Sequence, residues 1–413
     1  MSRFAICLTV VCASPVLADN WPAWRGSRGD GVCDERNLPT TWSATENVRW
    51  KVALPEPGNS TPIIWGERIF LTQALDNGKR RALLAFDRKD GKKLWQREHA
   101  CDVKETTHKQ NPPCSGSPVT DGAAVYAWFA SAGVVAYDFD GKLLWQRDFG
   151  PLLSRWGHGS SPILYKDLLI VFHGPGEPNT FLTALDKRTG KTVWKSDEKA
   201  INSPVFGCWS TPVVVKVGER DELILPLPGD AVGGEGYFKA YDPNTGKDLW
   251  TCKGLGTEIY AMPAVNETRD LIVGICGHNG PLLAVKPGGK GVVKPAWRNA
   301  AKNPQRVGSG VFHQGRFYLA DAPGFIECLD PKNGEPLWKE RVDGDLWGSL
   351  LLADGKLYVS SLQGETFVLA AGPKYELLAR NKLGETIYAA PAVSNGEIFL
   401  RGHKHLYCIG ASK

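Results

Sequence analysis

One phrase of ten or eleven residues recurs along this chain, and it constrains the fold more than any other feature. It reads AFDRKDGKKLW at 85–95, AYDFDGKLLW at 136–145, ALDKRTGKTVW at 184–194, AYDPNTGKDLW at 240–250 and CLDPKNGEPLW at 328–338. Degenerate versions follow LLAV at 282–285 and FVLA at 367–370. The tryptophans Trp50, Trp95, Trp145, Trp194, Trp250, Trp297 and Trp338 fall 41 to 56 residues apart. A period of this length means that one supersecondary unit is laid down repeatedly.

Each phrase has a physical meaning. The residues before the Asp alternate as in a strand, the Asp side chain bonds backbone amides two residues on, and the Gly supplies the positive φ that a reversal requires. The chain then re-enters as a strand with its Trp on the buried side. A second punctuation mark opens most units: Thr61-Pro62, Ser117-Pro118, Ser161-Pro162, Thr211-Pro212, Met262-Pro263 and Ala390-Pro391. Proline is tolerated where a strand begins. Between the two marks lie two further strand candidates, for example SPILY at 161–165 and DLLIVF at 167–172. Every unit therefore holds four short antiparallel strands, A to D, with the Trp on D.

Eight A strands are expected, beginning near Thr61, Ser117, Ser161, Thr211, Met262, Ser309, Ser349 and Ala390. The last unit lacks a D strand, and ENVRWKVAL at 46–54 matches one with no C strand before it. If that segment docks on the last unit, a ring closes and no unit keeps an unpaired edge. The fold expected is all-β: an eight-bladed β-propeller of four-stranded antiparallel blades, with the N-terminal strand closing the last blade. Seven blades is the runner-up. Composition agrees, with 46 Gly, 28 Pro and fifteen Trp against two Met, the usage of a turn-rich β protein.

The first residues, MSRFAICLTVVCASPVLADN, carry Arg3, an apolar run from Phe4 to Val11 and a small-residue site at Val16-Leu17-Ala18. They read as a signal peptide over 1–18, cleaved near Ala18. An N-terminal extension over 19–45 and a propeller domain over 46–413 follow. The run is shorter than the roughly 20 residues a spanning helix needs, and no later stretch reaches that length. A periplasmic or secreted, monomeric protein is expected. Removing Cys7 and Cys12 leaves eight cysteines, of which Cys101 and Cys114, in one polar loop, are the disulfide candidate. The net charge of +5 is spread along the chain, with no basic run interleaved with aromatics, so nucleic acid is not expected as a partner.

The pattern A-x-D-x-x-T-G-K-x-x-W, complete at 184–194 and 240–250, resembles the PQQ-type β-propeller repeat of bacterial quinoprotein dehydrogenases and of the outer-membrane assembly factor BamB. The resemblance covers roughly residues 46–410, and the opening NWPAWRG, LPTTWS and NVRWKVALP is similar to secreted PQQ-like propellers of planctomycete-type bacteria. It implies a fold and leaves function open, because the repeat encodes a hairpin. The dehydrogenases of the family imply a vicinal Cys-Cys pair capping the quinone and a Ca²⁺ held by a Glu, an Asn and a catalytic Asp. No two cysteines here are adjacent, there is no C-x-x-C-H haem site, and no such calcium set can be placed. No cofactor is therefore expected, with PQQ plus Ca²⁺ as the alternative the resemblance implies.

In a four-stranded blade the D–A and B–C connections emerge on one face and the A–B and C–D turns on the other. The long connections, D–A at 101–116 and 151–159 and B–C at 173–180 and 226–237, all fall on the first face, which is where binding is expected. His158, His173 and Glu177, with His108, are a candidate ligand or metal cluster, weighed against polar residues in polar loops. Asp230 lies in the Gly-rich segment GDAVGGEG, where acidic residues would repel phosphate. Trp156, Trp209 and Trp347 stand outside the D-strand set, near the channel mouth, as ligand-stacking or packing residues. The function expected is a non-catalytic binding or assembly scaffold for envelope or secreted proteins. The alternative is a small-ligand-binding protein or enzyme with its site at the channel mouth.

Overall fold

The computed structural model describes residues 20–198, 207–229, 234–299 and 305–410. The expected leader with Cys7 and Cys12, and Asp230, lie outside them. Eight antiparallel sheets follow one another along the chain. Blade 1 consists of Ile63–Trp65, Arg68–Leu75, Arg80–Asp87 and Lys93–Ala100. Blade 2 runs Val119–Thr120, Val125–Trp128, Val134–Tyr137 and Leu143–Arg147. Blade 3 runs Ile163–Tyr165, Leu168–His173, Phe181–Asp186 and Thr192–Asp197. Blade 4 holds Val213–Val217, Arg220–Leu227, Gly236–Tyr241 and Asp248–Leu255, and blade 5 Ala264–Val265, Ile272–Ile275, Leu282–Val285 and Trp297–Asn299. Blade 6 holds Val311–His313, Arg316–Ala320, Phe325–Leu329 and Pro336–Arg341. Blade 7 holds Leu351–Ala353, Lys356–Ser360, Glu365–Ala370 and Leu377–Lys382.

Blade 8 takes Ala392–Ser394, Glu397–Arg401 and His405–Ile409 from the C-terminal end and Val48–Ala53 from the N-terminal end, with Trp50 opposite Cys408. The all-β, eight-bladed fold and its mixed-terminus closure are as the repeat arithmetic predicts. B and C strands are sandwiched by neighbouring blades and read as apolar runs, as in Arg80–Asp87, where six consecutive residues are buried. D strands face outward and alternate, keeping the Trp inside and charges outside, as in Thr192–Asp197.

The repeated phrase interlocks neighbours. Trp50 Nε1 donates to Arg88 O at 2.9 Å, Trp95 to Phe139 O at 2.9 Å, Trp145 to Lys187 O at 2.9 Å, Trp194 to Pro243 O at 3.0 Å and Trp297 to Pro331 O at 2.7 Å. Each acceptor directly follows the Asp of the next blade's C–D turn. The Gly of that turn lies under the same indole: a Cβ on Gly246, at φ +70°, would come within 2.5 Å of Trp194. Gly is thus required twice, for the backbone and for the close approach. Trp250 differs because blade 5 lacks the full phrase. Its indole donates to Glu222 of its own blade at 2.8 Å, and Gly291–Val292 pairs in parallel with the outer strand of blade 4.

The Ser/Thr punctuation marks form a second ring around the channel. The backbone N–H of Thr61 donates to Ser117 Oγ, that of Ser117 to Ser161 Oγ and that of Ser161 to Thr211 Oγ1. Met262 N–H donates to Ser309 Oγ and Ser309 N–H to Ser349 Oγ; all five distances are 2.9 Å. A short inner strand has no neighbour for these buried amides, and a hydroxyl from the next blade satisfies them.

The N-terminal extension floors the channel. Trp21 pairs with Ile64 of blade 1, Pro22 O accepts from Thr120 N of blade 2, and the buried Arg25 guanidinium donates to Gly310 O and Leu350 O at 2.6 Å, at blades 6 and 7. These contacts lie on opposite sides of the ring, so the segment crosses it. Val32–Cys33 then adds in parallel to the inner edge of blade 7, and Trp42 stacks on Tyr358 on the way to the closing strand.

Candidate functional site

A cavity of about 470 Å³ opens on the face of the D–A connections, with Trp24 of the extension among its lining residues. Every D–A connection contributes to it. The contribution has a fixed place in the repeat, two residues before the A-strand anchor: Asn59, Ser115, Gly159, Trp209, Tyr260, Val307, Trp347 and Tyr388 in chain order. Longer loops on the side of blades 1 to 3 add His108, Gln110, Asn111 and Trp156, where the anchor-minus-two residues are small.

The aromatic groups are held in place by their polar neighbours. Trp209 Nε1 donates to Gly157 O at 2.7 Å and its ring packs on Tyr260 at 5.3 Å, while Tyr260 OH donates to Glu258 Oε2 at 2.7 Å. His108 meets the edge of Trp156 at 5.5 Å, the Arg155 guanidinium covers the indole at 4.9 Å, and Asn111 Nδ2 donates to Trp156 O at 2.8 Å. Trp347 packs edge-on to Tyr388, which in turn lies against His403.

The polar side chains of the lining are mostly neutral. Among the described residues the lining holds one carboxylate, Glu258, and no Lys or Arg. Burial, assisted by Lys109, lowers the pKa of His108 and so favours the neutral imidazole. Its Nδ1 accepts from Gln110 N at 3.3 Å, which leaves the proton on Nε2. Asn59 Nδ2 donates to Gln110 O at 2.8 Å, while Asn59 Oδ1 is buried with no partner in the protein.

Of the residues singled out from sequence, the structure gathers His108, Trp156, Trp209 and Trp347 around this cavity. His158 and His173 are brought together elsewhere, around Trp128. Trp128 Nε1 donates to His158 Nε2 at 2.5 Å, and His173 stacks on Phe181 at 4.4 Å with its Nδ1 bonded to Asn179 O. Burial pushes their pKa values down to about 3 and about 4. Glu177 sits on an exposed turn whose backbone pairs with Leu153. The disulfide expected between Cys101 and Cys114 is not formed: both are buried free thiols. The Arg81 guanidinium stands beside both, 3.6 Å from Cys101 Sγ and paired with Glu105, so a cation and its carboxylate occupy the polar centre of that loop. Sequence reasoning missed Asn59, Glu258, Tyr260 and Tyr388. The anchor-minus-two position was the signal that marks three of them.

The family model described as outer membrane protein assembly factor BamB matches residues 32–151 and 234–372. The chain is 28% identical over 356 residues to the quinohemoprotein alcohol dehydrogenase ADH-IIG of Pseudomonas putida, covering 80% of this chain and 40% of that protein. It is 33% identical over 100 residues to the outer membrane protein assembly factor BamB of Burkholderia pseudomallei (strain K96243), 24% of each chain. It thus spans less than half the length of these curated relatives. Among solved structures, the quinohemoprotein alcohol dehydrogenase of Comamonas testosteroni superposes with a TM-score of 0.70 at 12% identity, over 96% of this chain and 81% of that one. BamB from Moraxella catarrhalis gives 0.61 at 14% identity, over 87% and 96%. These two likenesses show the fold.

Proposed function

The chain belongs to the family described as outer membrane protein assembly factor BamB, and from that premise we propose that it is an exported, non-catalytic binding propeller whose channel-mouth cavity captures a small ligand. One observation carries this reading: all eight D–A connections turn the same repeat position into one cavity of about 470 Å³, within the range of roughly 300–1,000 Å³ typical of small-molecule sites. Hydrogen bonds fix Trp209 and Tyr260 and ring contacts hold Trp347 and Tyr388, which lowers the ordering cost of binding.

The quinone implied by the dehydrogenase relatives does not fit this lining. PQQ carries three carboxylates, and among the described residues the cavity presents no cation to them and one carboxylate against them. Among the described residues no group of three His, Cys, Asp or Glu side chains could hold a metal ion beside it. The test is thermal unfolding of the wild type and Trp347→Ala with a library of small metabolites, with PQQ plus Ca²⁺, and with Zn²⁺. A ligand that binds only the folded state raises the midpoint. A saturable rise that Trp347→Ala loses supports the proposal; a rise confined to PQQ plus Ca²⁺ replaces it with a dehydrogenase reading.

A second reading, a scaffold for envelope proteins, rests on the rim. Leu94, Leu144, Val193, Leu337 and Leu378, each one residue before the Trp position of its D strand, are exposed, forming an aliphatic belt around five blades. If partners dock there, Leu144→Glu with Val193→Glu removes specific cross-linked species formed in envelope preparations. An unchanged cross-linking pattern sinks the scaffold reading.

A further inference from the structure

Resting on the binding-propeller reading, we propose that the ligand of the channel-mouth cavity is an uncharged ring rich in hydroxyl groups, the chemical class of a hexose or the end of an oligosaccharide. Charge narrows the choice first. An anion would meet Glu258 and no Lys or Arg among the described lining residues, whose other titratable side chains include the imidazoles of His108, where burial favours the neutral form, and His278. Burying a charge without a partner is costly, so an anionic ring is disfavoured. The unspent hydrogen-bonding capacity is of both kinds. Asn59 Oδ1 is a buried acceptor with no partner, and Glu258 keeps Oε1 once Oε2 has taken the Tyr260 hydroxyl. His108 Nε2–H is a donor, because Nδ1 already accepts from Gln110 N. A hydroxyl both donates and accepts, so a ring carrying several satisfies donors and acceptors at different points of one wall.

The remaining wall is aromatic. Trp24, Trp156, Trp347 and Tyr388 are only partly buried and line the cavity. Their π-faces are negative, and the C–H face of a saturated ring, slightly positive and poorly hydrated, stacks on such a face while its hydroxyls point to the polar rim. Aromatics with one carboxylate would also suit a quaternary ammonium ion. Such an ion offers nothing to Asn59 Oδ1, which is already unpaired, whereas a hydroxyl donating to it adds a hydrogen bond. This one acceptor therefore favours the polyol.

The test is a fluorescence and calorimetric titration of the wild type, Trp347→Ala and Asn59→Ala. The probes are glucose, galactose, maltose and cellobiose as neutral rings, glucuronate and PQQ as anions, and choline as a cation. The expected result is saturable binding of at least one neutral sugar, weakened about tenfold or more in both variants and in glucuronate relative to its neutral counterpart. Tighter binding of the disaccharides than of the hexoses assigns the site to a chain end, and the reverse assigns it to a free sugar. Binding of glucuronate or choline without any neutral sugar overturns the inference and leaves the pocket reading intact, whereas binding of PQQ alone among the probes overturns both in favour of the dehydrogenase reading. No saturable response to any probe overturns both. Should Asn59→Ala fail to fold, Trp347→Phe takes its place, with the same expected loss confined to sugar binding.

Discussion

At the scale of single residues, Ser309 and His173 show how the ring spends its polar groups. Ser309 Oγ accepts the Met262 amide, and its own amide donates to Ser349 Oγ. Ser309→Ala leaves a buried N–H unpaired, and a loss of about 1–3 kcal/mol in denaturant unfolding is expected. His173 is buried, with its pKa lowered to about 4 by burial. The unfolded imidazole protonates near 6.5, so His173 supports the fold fully above that pH. The support is lost as pH falls from about 6.5 to about 4, at up to about 1.4 kcal/mol per pH unit. His173→Phe, which keeps the stack on Phe181, should flatten the fall of stability across that window; an unchanged profile would show that other groups govern it. The hydroxyl role of the Ser/Thr-Pro marks was not legible in the sequence. Proline announces a strand entry, whereas the acceptor before it acquires meaning only when the neighbouring blade brings up an amide.

At the scale of elements, the interlock between one blade's Trp and the next blade's Gly gives the phrase its period. Gly246 combines a φ of +70° with a Cβ position 2.5 Å from Trp194, whereas Gly218 has a φ of +57° and open space around it. Both Gly→Ala substitutions incur a backbone penalty of about 1–2 kcal/mol, and Gly246→Ala adds overpacking of about 1–3 kcal/mol. Equal losses in urea midpoints would show that the Trp contact adds nothing. Strand count, strand order and the buried face of D were readable because period and alternation report them directly. The parallel addition of Gly291–Val292 to blade 4 was not, since that segment carries neither the phrase nor an alternating pattern.

At the scale of the whole molecule, both the seam and the floor depend on the N-terminal segment. Trp50 joins blade 8 to blade 1 through Arg88 O and lies against Gly91. Trp50→Ala should cost about 3–5 kcal/mol, with amide exchange rising in Val48–Ala53 and the rest of blade 8 ahead of the other blades. Uniform exchange around the ring would contradict the seam. Loop lengths in the sequence pointed to the face on which the cavity opens, and four of its lining residues were singled out from the sequence. It did not distinguish a cavity from a flat platform, because the depth arises from eight separate connections meeting at the axis and from Trp24 reaching the lining from a segment outside the repeats. The most direct test is to fill that space. Val307→Trp places an indole at an anchor-minus-two position that natively holds a smaller aliphatic. Thermal unfolding of this variant, with and without any ligand that stabilises the wild type, should show an unshifted midpoint on ligand addition and a ligand-free midpoint within a few degrees of wild type. A stabilisation retained in Val307→Trp would place the ligand elsewhere and contradict the account.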